Sequence, residues 1–340
     1  MSRKQEIKVE GNGNISAEVV ADSVSPEGKR ITTFVLEFHR FILPEFNTHR
    51  LFSRNAASSR AIPVKTMMEL VENSPAMPIH WGKNQAGMQA KEELQDAEKE
   101  IVQNYWELAS GNAGVIAELM GENGAHKQIV NRILEPFQMI RVVCTATEYD
   151  NFFYLRYHAD AQPEIAELAR VMWEAREQSE PELLFPGEWH VPFVSTVKKQ
   201  LAVYDSDGNC IGDFVRQYFI EDENHNKFIL TPEEALKISA SCSAQVSYRK
   251  ADTSLEKALS IYDKLVTMKP CHASPLEHQA TPMYMHTWEF ESYEAGDVWD
   301  EGTTHCDKNG KLWSGNFKQW VQYRQLIPDN VCNNFVKEST

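Results

Sequence analysis

Three stretches of the chain have the residue pattern of β-strands. Residues 31–43 (ITTFVLEFHRFIL) are rich in β-branched and aromatic side chains, which favours a strand. Residues 139–147 (MIRVVCTAT) have the same character. Residues 198–219 contain two alternating segments on either side of Asp207-Gly208, a pattern typical of a β-hairpin.

Three other stretches have helical periodicity. Residues 91–120 carry charge pairs at helical spacing, and Gly111 predicts a break before a second short helix. Residues 163–173 place apolar side chains at i, i+3, i+4, i+7 and i+8, with a proline suited to the first turn. Thr-x-x-Glu at 253–256 predicts a capping box ahead of a third helix. Because strands and helices are mixed without strict βαβ alternation, the sequence predicts an α+β fold.

The amino-acid composition limits the classes of molecule that the protein is expected to bind. The 340 residues include 34 Lys and Arg against 49 Asp and Glu, which gives a formal net charge of -15. This charge opposes binding to duplex nucleic acid, although two or three arginines suffice for a small phosphorylated ligand. Apolar runs are too short for a membrane helix and the first residues lack a signal peptide, so we expect a cytoplasmic protein without membrane association. The scattered cysteines predict no metal site.

The densest polar cluster spans residues 47–60, directly after the first predicted strand. It combines three arginines, one histidine and three serines with small residues. Guanidinium forks suit phosphate or a flat heterocycle, and small residues permit close approach of the backbone to a ligand. By composition alone, the same cluster also fits a solvated loop.

The cluster resembles the Arg-His-Arg-x-x-Ser-x-Asn-Glu-x-Ser-x-Arg-Tyr signature of the flavin-dependent thymidylate synthases (the ThyX family), with six of nine defined positions identical over residues 48–61. Residues 131–136 are similar to the family's Arg-x-x-Leu-Pro stretch, with one residue inserted or displaced before the proline. Residues 145–165 resemble its Asn-x-x-x-Phe-x-x-x-Arg and Ala-Gln-x-Glu-Ile tract. Residues 244–248 and 272–278 are similar to its Ala-Arg-Val-Ser-Tyr and His-x-Ser-Pro-Phe-Glu-His segments.

The order of these segments differs from that of the family, in which the last two segments come first. A circular permutation accounts for the difference, because domains tolerate one when their termini lie close together. The resemblance implies a ThyX-like mixed fold, with an antiparallel sheet packed by helices. The expected segments are a loosely held start (1–29), a catalytic domain (30–283) with insertions near 62–130 and 180–235, and a Trp/Tyr-rich extension packed on that domain (284–340).

The resemblance also implies a set of site residues. The nucleotide-binding positions are Ser58, Arg60, Arg132, Arg156 and Gln162. The flavin-binding positions are His49, Arg50, Ser53, Asn55, Asn151, His272 and Glu277. The catalytic positions are Arg132, Ser58 and His272. At His49 and Arg50, positive charge is expected to stabilise anionic reduced flavin, and His272 is expected to move a proton near neutral pH.

Ordinary structural roles remain alternatives for several of these residues. Arg156 also suits an ion pair with a helix carboxylate, and Glu277 suits pairing with an arginine. Asn151 fits a turn, and Ser58 fits a helix cap. The aromatic residues 152–154 are expected in the core and not against a flavin.

The loop departs from the family signature at several positions. Thr48, Ala56 and Ala61 replace its first arginine, its glutamate and its tyrosine, and Thr145 and Thr147 stand where asparagine and arginine are common. Directed hydrogen bonds to charged groups are worth roughly 1–3 kcal/mol each. Because these hydrogen bonds are lost, another pyrimidine nucleotide remains an alternative acceptor.

The resemblance implies an enzyme that transfers a one-carbon unit from methylenetetrahydrofolate to C5 of dUMP, with FAD as cofactor and NADPH as reductant. The family also implies a homotetramer with flavin sites shared among subunits. One alternative is a related enzyme that hydroxymethylates its substrate or modifies another pyrimidine nucleotide such as dCMP. Another alternative is a non-catalytic nucleotide-binding protein without bound flavin.

Overall fold

The computed structural model describes residues 7–201, 213–222, 225–246, 254–268, 270–284 and 299–335. The chain divides into two compact units, the first containing residues 1–20, 32–180 and 246–249 and the second containing residues 21–31, 181–245 and 250–340. These units interleave along the sequence, whereas successive segments were expected. The assignment of residues 30–283 as a catalytic domain stays a prediction.

The first unit is an antiparallel sheet with helices, which confirms the predicted α+β class. Its elements are β1 (Ile7–Glu10), β2 (Ser16–Val24), β3 (Arg30–His39), α1 (Leu43–Phe46), β4 (Ser53–Ala56), α2 (Val64–Asn73), α3 (Asp96–Glu122), α4 (Lys127–Val130), β5 (Met139–Ala146), α5 (Asp150–Arg156) and α6 (Pro163–Gln178). The strand order is β1-β2-β3-β5-β4. The pairs β1–β2, β3–β5 and β4–β5 are antiparallel.

The two predicted central strands are present. Residues 139–147 form β5 almost as expected, while the strand predicted over 31–43 ends earlier, at His39. The pairing of β3 with β5 begins at Thr32 and ends where His39 lies opposite Met139, the first residue of β5. Without a partner strand beyond that point, the chain turns into a short 3-10 segment and then α1.

One face of β3 and β5 carries the main core of this unit. Alternate residues on these strands point to the same face of a sheet, and here they pack against α5 and α6. The buried residues of this face and its helices include Phe34, Leu36, Phe38, Ile140, Val142, Cys144, Phe152, Ile165, Leu168, Ala169 and Met172. The helix predicted to begin near Pro163 is α6, which has this proline in its first turn.

Residues 7–24 correct the expectation of a loosely held start. They form β1 and β2, and the side chains of Ile15 and Ala17 are completely buried. The polar composition of this region reflects a strand with one exposed face, since β1 alternates half-buried apolar residues with exposed charged residues. Burial of that inner face holds the segment in the sheet.

The helix predicted over 91–120 is present as α3, but the predicted break at Gly111 is wrong. The helix continues through Gly111 to Glu122. A Cβ atom at Gly111 would have no atom within 4 Å beyond the adjacent residues and the backbone of its own helix, whereas Ser110 and Ala117 of the same helix are buried. A single exposed glycine costs a helix only about 1 kcal/mol relative to alanine, so packing on the other face is enough to keep the helix continuous.

The described part of the second unit contains smaller sheets and two α-helices. Its elements are β6 (Glu182–Leu183), β7 (Ser195–Leu201), β8 (Asp213–Glu221), β9 (Lys227–Leu230), α7 (Pro232–Ala244), α8 (Leu255–Thr267), β10 (Ala280–Pro282), β11 (His305–Cys306), β12 (Leu312–Ser314), β13 (Phe317–Lys318) and β14 (Trp320–Gln322). Strands β7 and β8 pair antiparallel, which confirms the predicted hairpin. Its Asp207-Gly208 turn lies outside the described residues.

The helix predicted after residues 253–256 is present as α8, but its predicted capping box is not tested. Thr253 lies outside the described residues, and α8 begins after Ser254 without a side-chain cap. A complete capping box occurs instead at the start of α7, between Thr231 and Glu234. In the aromatic C-terminal region, Phe317 and Trp320 are completely buried, so this part is packed as expected. Across the ranges that the structure describes, none of the helices is both long enough and apolar enough to cross a bilayer.

Candidate active site

Strand β4 divides the family-like loop between the two faces of the sheet. Arg54 lies opposite Cys144, a core residue, and donates to the carbonyl oxygens of Phe46 and His49 at 3.2 Å. Ala57 and Ser59, which follow β4, line a cavity on the other face. Because successive residues of a strand point to opposite faces, neighbours in the sequence motif reach different environments.

On the core-facing side of the sheet, the side chains of His49 and Arg156 form a hydrogen-bonded pair, the core-side pair. The Arg156 Nε donates to His49 Nε2 at 3.0 Å, and its guanidinium also pairs with the carboxylate of Glu45 on α1. The structure therefore brings a predicted flavin residue and a predicted nucleotide residue together. It also contains the helix carboxylate that the alternative interpretation of Arg156 required.

His49 is a neutral side chain in this position. Its ring stacks on Phe52 and lies edge-on to Phe152, with the ring centres 4.9 Å apart in the second pair. Burial first, and then the positive charges of Arg156 and Arg54, lower the pKa of His49 to about 4. At neutral pH, His49 therefore accepts a hydrogen bond and does not supply the positive charge that the motif led us to expect.

On the opposite face, a cavity of about 510 Å³ lies beside the other end of the loop. Val35, Glu37 and Arg141 form part of its wall, and they alternate along the strands with the core-facing Leu36 and Val142. This volume falls in the range of small-molecule sites, roughly 300–1,000 Å³.

At the cavity wall, two arginines and a serine converge on one carboxylate. Arg40, Arg132 and Ser59 each donate to Oε1 of Glu135, at 2.9, 2.8 and 2.8 Å. Arg132 is a predicted nucleotide residue, whereas Arg40, Ser59 and Glu135 were missed by the motif comparison. The signal available in the sequence was the additional residue before Pro136, which is Glu135 itself.

The remaining predicted residues of this unit occupy three kinds of position. Ser53 is buried on β4, and Asn55 is half-buried on the same strand. Ser58 is half-buried, and Arg60 is exposed in the turn that follows. Gln162 is exposed at the start of α6, where its Nε2 donates to Glu164 at 3.1 Å.

Two exposed donors near the core-side pair fit a flavin nucleotide. The side chains of Arg50 and Asn151 form no hydrogen bond or ion pair with the described residues, and both residues are exposed. A guanidinium and an amide are the donor types that the pyrophosphate and ring edges of FAD accept. Since His49 is neutral, Arg50 supplies the positive charge at the two motif positions His49 and Arg50. The donor set therefore fits the cofactor.

Two predicted flavin residues, His272 and Glu277, belong to the second unit. His272 is exposed, while Glu277 forms an ion pair with Arg324, as the alternative interpretation proposed. His278, in the same motif, is completely buried, and this burial lowers its pKa to about 3. His278 is therefore neutral at physiological pH.

The aromatic run 152–154 follows the expectation at two positions and departs from it at the third. Phe152 and Phe153 are buried in the core, but Tyr154 is 79% exposed. The expectation that Tyr154 lies in the core is wrong because α5 turns this residue away from the sheet, while the neighbouring Phe152 and Phe153 face the core.

Comparison with known proteins agrees with the motifs. The family model described as thymidylate synthase complementing protein matches residues 25–182. This range contains the loop, residues 131–136 and residues 145–165. A search of the curated proteins found no match. Residues 25–182 therefore match the thymidylate synthase complementing protein family, which is the ThyX family that the motifs resemble.

Proposed function

We propose that this protein is a flavin-dependent thymidylate synthase-like enzyme, which transfers a one-carbon unit from methylenetetrahydrofolate to C5 of dUMP. The match of residues 25–182 to this family supports an enzyme related to thymidylate synthase and to dTMP formation. The acceptor dUMP, the cofactor FAD and the reductant NADPH are our proposal. When bound, reduced FAD would supply the hydride that turns the transferred methylene into a methyl group.

One observation carries the proposal. Two guanidinium groups and a hydroxyl group converge on a single oxygen atom beside a cavity of about 510 Å³. This is the donor arrangement that a phosphomonoester requires, because arginine binds phosphate oxygens through charge-assisted hydrogen bonds.

The chain's own residues would bind and orient the reactants. Arg132 would hold the nucleotide phosphate. Arg156, kept in place by Glu45 and His49, would polarise a ring carbonyl or hold a second anionic group. Arg50 and Asn151 would hold FAD, with Arg50 stabilising its negative charge. Catalytic roles for Arg132, Ser58 and His272 stay predictions.

The test is an absorbance spectrum of the purified protein with FAD, recorded before and after addition of dUMP and then dCMP. We expect a flavin band that dUMP perturbs, and dTMP formation once methylenetetrahydrofolate and NADPH are added. Arg132→Met should weaken the dUMP titration by about 10–100-fold, the loss expected for one or two charge-assisted hydrogen bonds. Lys65→Met, which removes an exposed cation on α2, is the matched control and should leave the titration unchanged.

Each other outcome points to an alternative. Perturbation by dCMP alone would favour the related enzyme with another pyrimidine acceptor, for which the exposed Ala56 in place of the signature glutamate is the supporting observation. Failure to bind added FAD would contradict the synthase proposal. In that case, binding of dUMP without flavin would favour the non-catalytic nucleotide-binding protein.

We also propose that the enzyme assembles with copies of itself, as the family resemblance implies, through the outer face of α3. This face carries large apolar side chains that are each about half exposed, opposite the buried Ser110 and Ala117. The stripe consists of Ile101, Tyr105, Leu108, Val115 and Leu119. Their spacing alternates 4 and 3 once the exposed Asn112 is included, which is the heptad spacing of helices that pair, with a polar residue at one core position. The partner that this spacing fits is α3 of a second copy.

The double substitution Leu108→Glu/Val115→Glu should lower the oligomeric state. Charges in the centre of a paired apolar stripe would be desolvated without partners, which strongly opposes association. Light scattering coupled to size-exclusion chromatography measures the mass of the assembly. Ile129→Glu, on α4 and 58% exposed, is the control outside the stripe. An unchanged assembly mass in the double variant would contradict this interface.

A further inference from the structure

The Glu135 carboxylate sits where an external anion would bind. Its Oε1 atom accepts from Arg40 at 2.9 Å, from Arg132 at 2.8 Å and from Ser59 at 2.8 Å. The three donors come from separate parts of the first unit: the end of β3, the turn after α4 and the loop after β4. Donors from several elements that converge on one oxygen atom can bind an oxyanion, and we call these three donors the receptor. In this structure the Glu135 carboxylate supplies the oxygen atom.

The charges at this receptor do not balance. Two guanidinium groups face one carboxylate, which leaves one net positive charge. The Arg40 side chain is only 15% exposed, and its burial, together with the nearby Arg132 charge, lowers the pKa of Arg40, while Glu135 opposes this shift. A phosphate dianion would compensate both cations, whereas Glu135 compensates one.

The receptor also opens onto space that a larger molecule can occupy. Arg40 and Ser59 line the cavity of about 510 Å³, together with apolar side chains that include Met67 and Val71. An anionic group held by these donors would therefore have an adjoining volume for the remainder of the molecule.

The Glu135 side chain is placed so that it can rotate away from its three donors. It begins a short 3-10 turn, Glu135–Phe137, in which Pro136 fixes the backbone. Its side chain is 24% exposed and makes its hydrogen bonds through Oε1. Rotation of the side chain toward water would hydrate the carboxylate without moving the main chain.

We propose that Glu135 is an internal competitor for a phosphate-binding site formed by Arg40, Arg132 and Ser59, and that a phosphomonoester binds by displacing its carboxylate. This inference rests on the proposed function for the identity of the natural ligand but not for the existence of the site. A competitor that occupies the site most of the time reduces apparent affinity by the fraction of protein in which the site is open. Glu135 thus sets how much phosphorylated ligand is needed.

The test is calorimetric titration of the full chain with inorganic phosphate at constant ionic strength. Glu135→Gln keeps the shape of the side chain and removes its charge, and it should bind phosphate about tenfold more tightly than the natural protein, as expected if Glu135 closes the site about nine-tenths of the time. Glu135→Ala should show a gain in the same direction. Adding Arg132→Met to Glu135→Gln should remove the gain.

Glu174→Gln is the matched control, because it removes one carboxylate that pairs with Arg170 at 2.7 Å on α6. Its phosphate affinity should equal that of the natural protein. Unchanged or weaker phosphate binding in folded Glu135→Gln and Glu135→Ala would overturn the inference. Glu135 would then have only a structural role, as the ion-pair partner of Arg40 and Arg132. An equal gain in Glu174→Gln would overturn it as well, since the effect would then be one of net charge.

The inference and the proposed function fail separately. Inorganic phosphate contains neither a pyrimidine nor a flavin, so its titration reports on the anion site alone. A gain in phosphate affinity without any dTMP formation would uphold the competitor and contradict the synthase. Formation of dTMP without a gain in phosphate affinity would do the reverse.

Discussion

Replacing Arg156 with leucine should lower kcat/KM for dUMP by about a hundredfold. The guanidinium group, kept in place by His49 at 3.0 Å and by Glu45, would polarise a ring carbonyl of dUMP, so the variant loses its directed charge-assisted hydrogen bonds to the substrate. Each is worth on the order of 1.5–3 kcal/mol, and about 2.7 kcal/mol corresponds to a hundredfold in kcat/KM. The measurement is steady-state dTMP formation at varied dUMP.

The same variant should raise the pKa of His49 from about 4. A nearby positive charge disfavours the protonated ring, and Arg156 is the larger of the two charges that lower this pKa. Burial remains in the variant, so the pKa should stay below the ordinary value near 6.5. Titration of the histidine ring by NMR gives this shift directly.

Two further variants separate a functional role of Arg156 from a structural one. The double variant Glu45→Gln/Arg156→Leu removes the carboxylate that Arg156→Leu leaves without its partner, so it should recover stability without recovering activity. Arg170→Leu removes a surface arginine that pairs with Glu167 and Glu174 on α6, and it should keep normal kcat/KM. If activity returns with stability in the double variant, Arg156 acts only through the fold.

Replacing Phe152 with alanine should lower the free energy of unfolding by about 3–5 kcal/mol. Phe152 is 1% exposed, and its ring contacts the rings of Phe46, Phe52 and His49. Truncation removes the apolar burial of a complete ring and leaves a cavity that its aromatic neighbours are too stiff to fill. Chemical denaturation followed by circular dichroism measures the loss.

Tyr154→Ala is the control for this prediction. Tyr154 lies two residues away on the same helix, but its side chain is 79% exposed, so its truncation should change the free energy of unfolding by less than about 0.5 kcal/mol. Similar losses in the two variants would mean that helix propensity, and not the aromatic core, determines the effect. A small loss in Phe152→Ala would contradict the packing described above.

Local sequence patterns predicted those strands and helices whose core-facing side chains recur with the period of the element. The alternating strand residues of β5 and the apolar stripe of α6 are examples, because a run of residues that all face one core specifies its own conformation. The motif comparison likewise found His49 and Arg156, which the fold joins by a hydrogen bond although they are far apart in sequence.

Other features depended on partners distant in the chain. The end of β3 at His39 depends on where β5 begins, and the continuity of α3 through Gly111 depends on packing of its buried face. The sequence of residues 7–24 is polar enough to suggest a loose start, yet the neighbouring strand keeps it in the sheet.

By itself, the sequence determined the α+β class, the resemblance to the family and the residue types of the site, because periodicity and motif spacing are local properties of the chain. Tertiary structure alone decided the protonation and partners of those residues. His49 is neutral because the fold buries it beside Arg156, and Glu135 contacts Arg40 and Ser59 because the sheet places the end of β3 and the loop after β4 beside it. Burial and charge proximity arise from packing in three dimensions, which no single segment of the sequence encodes.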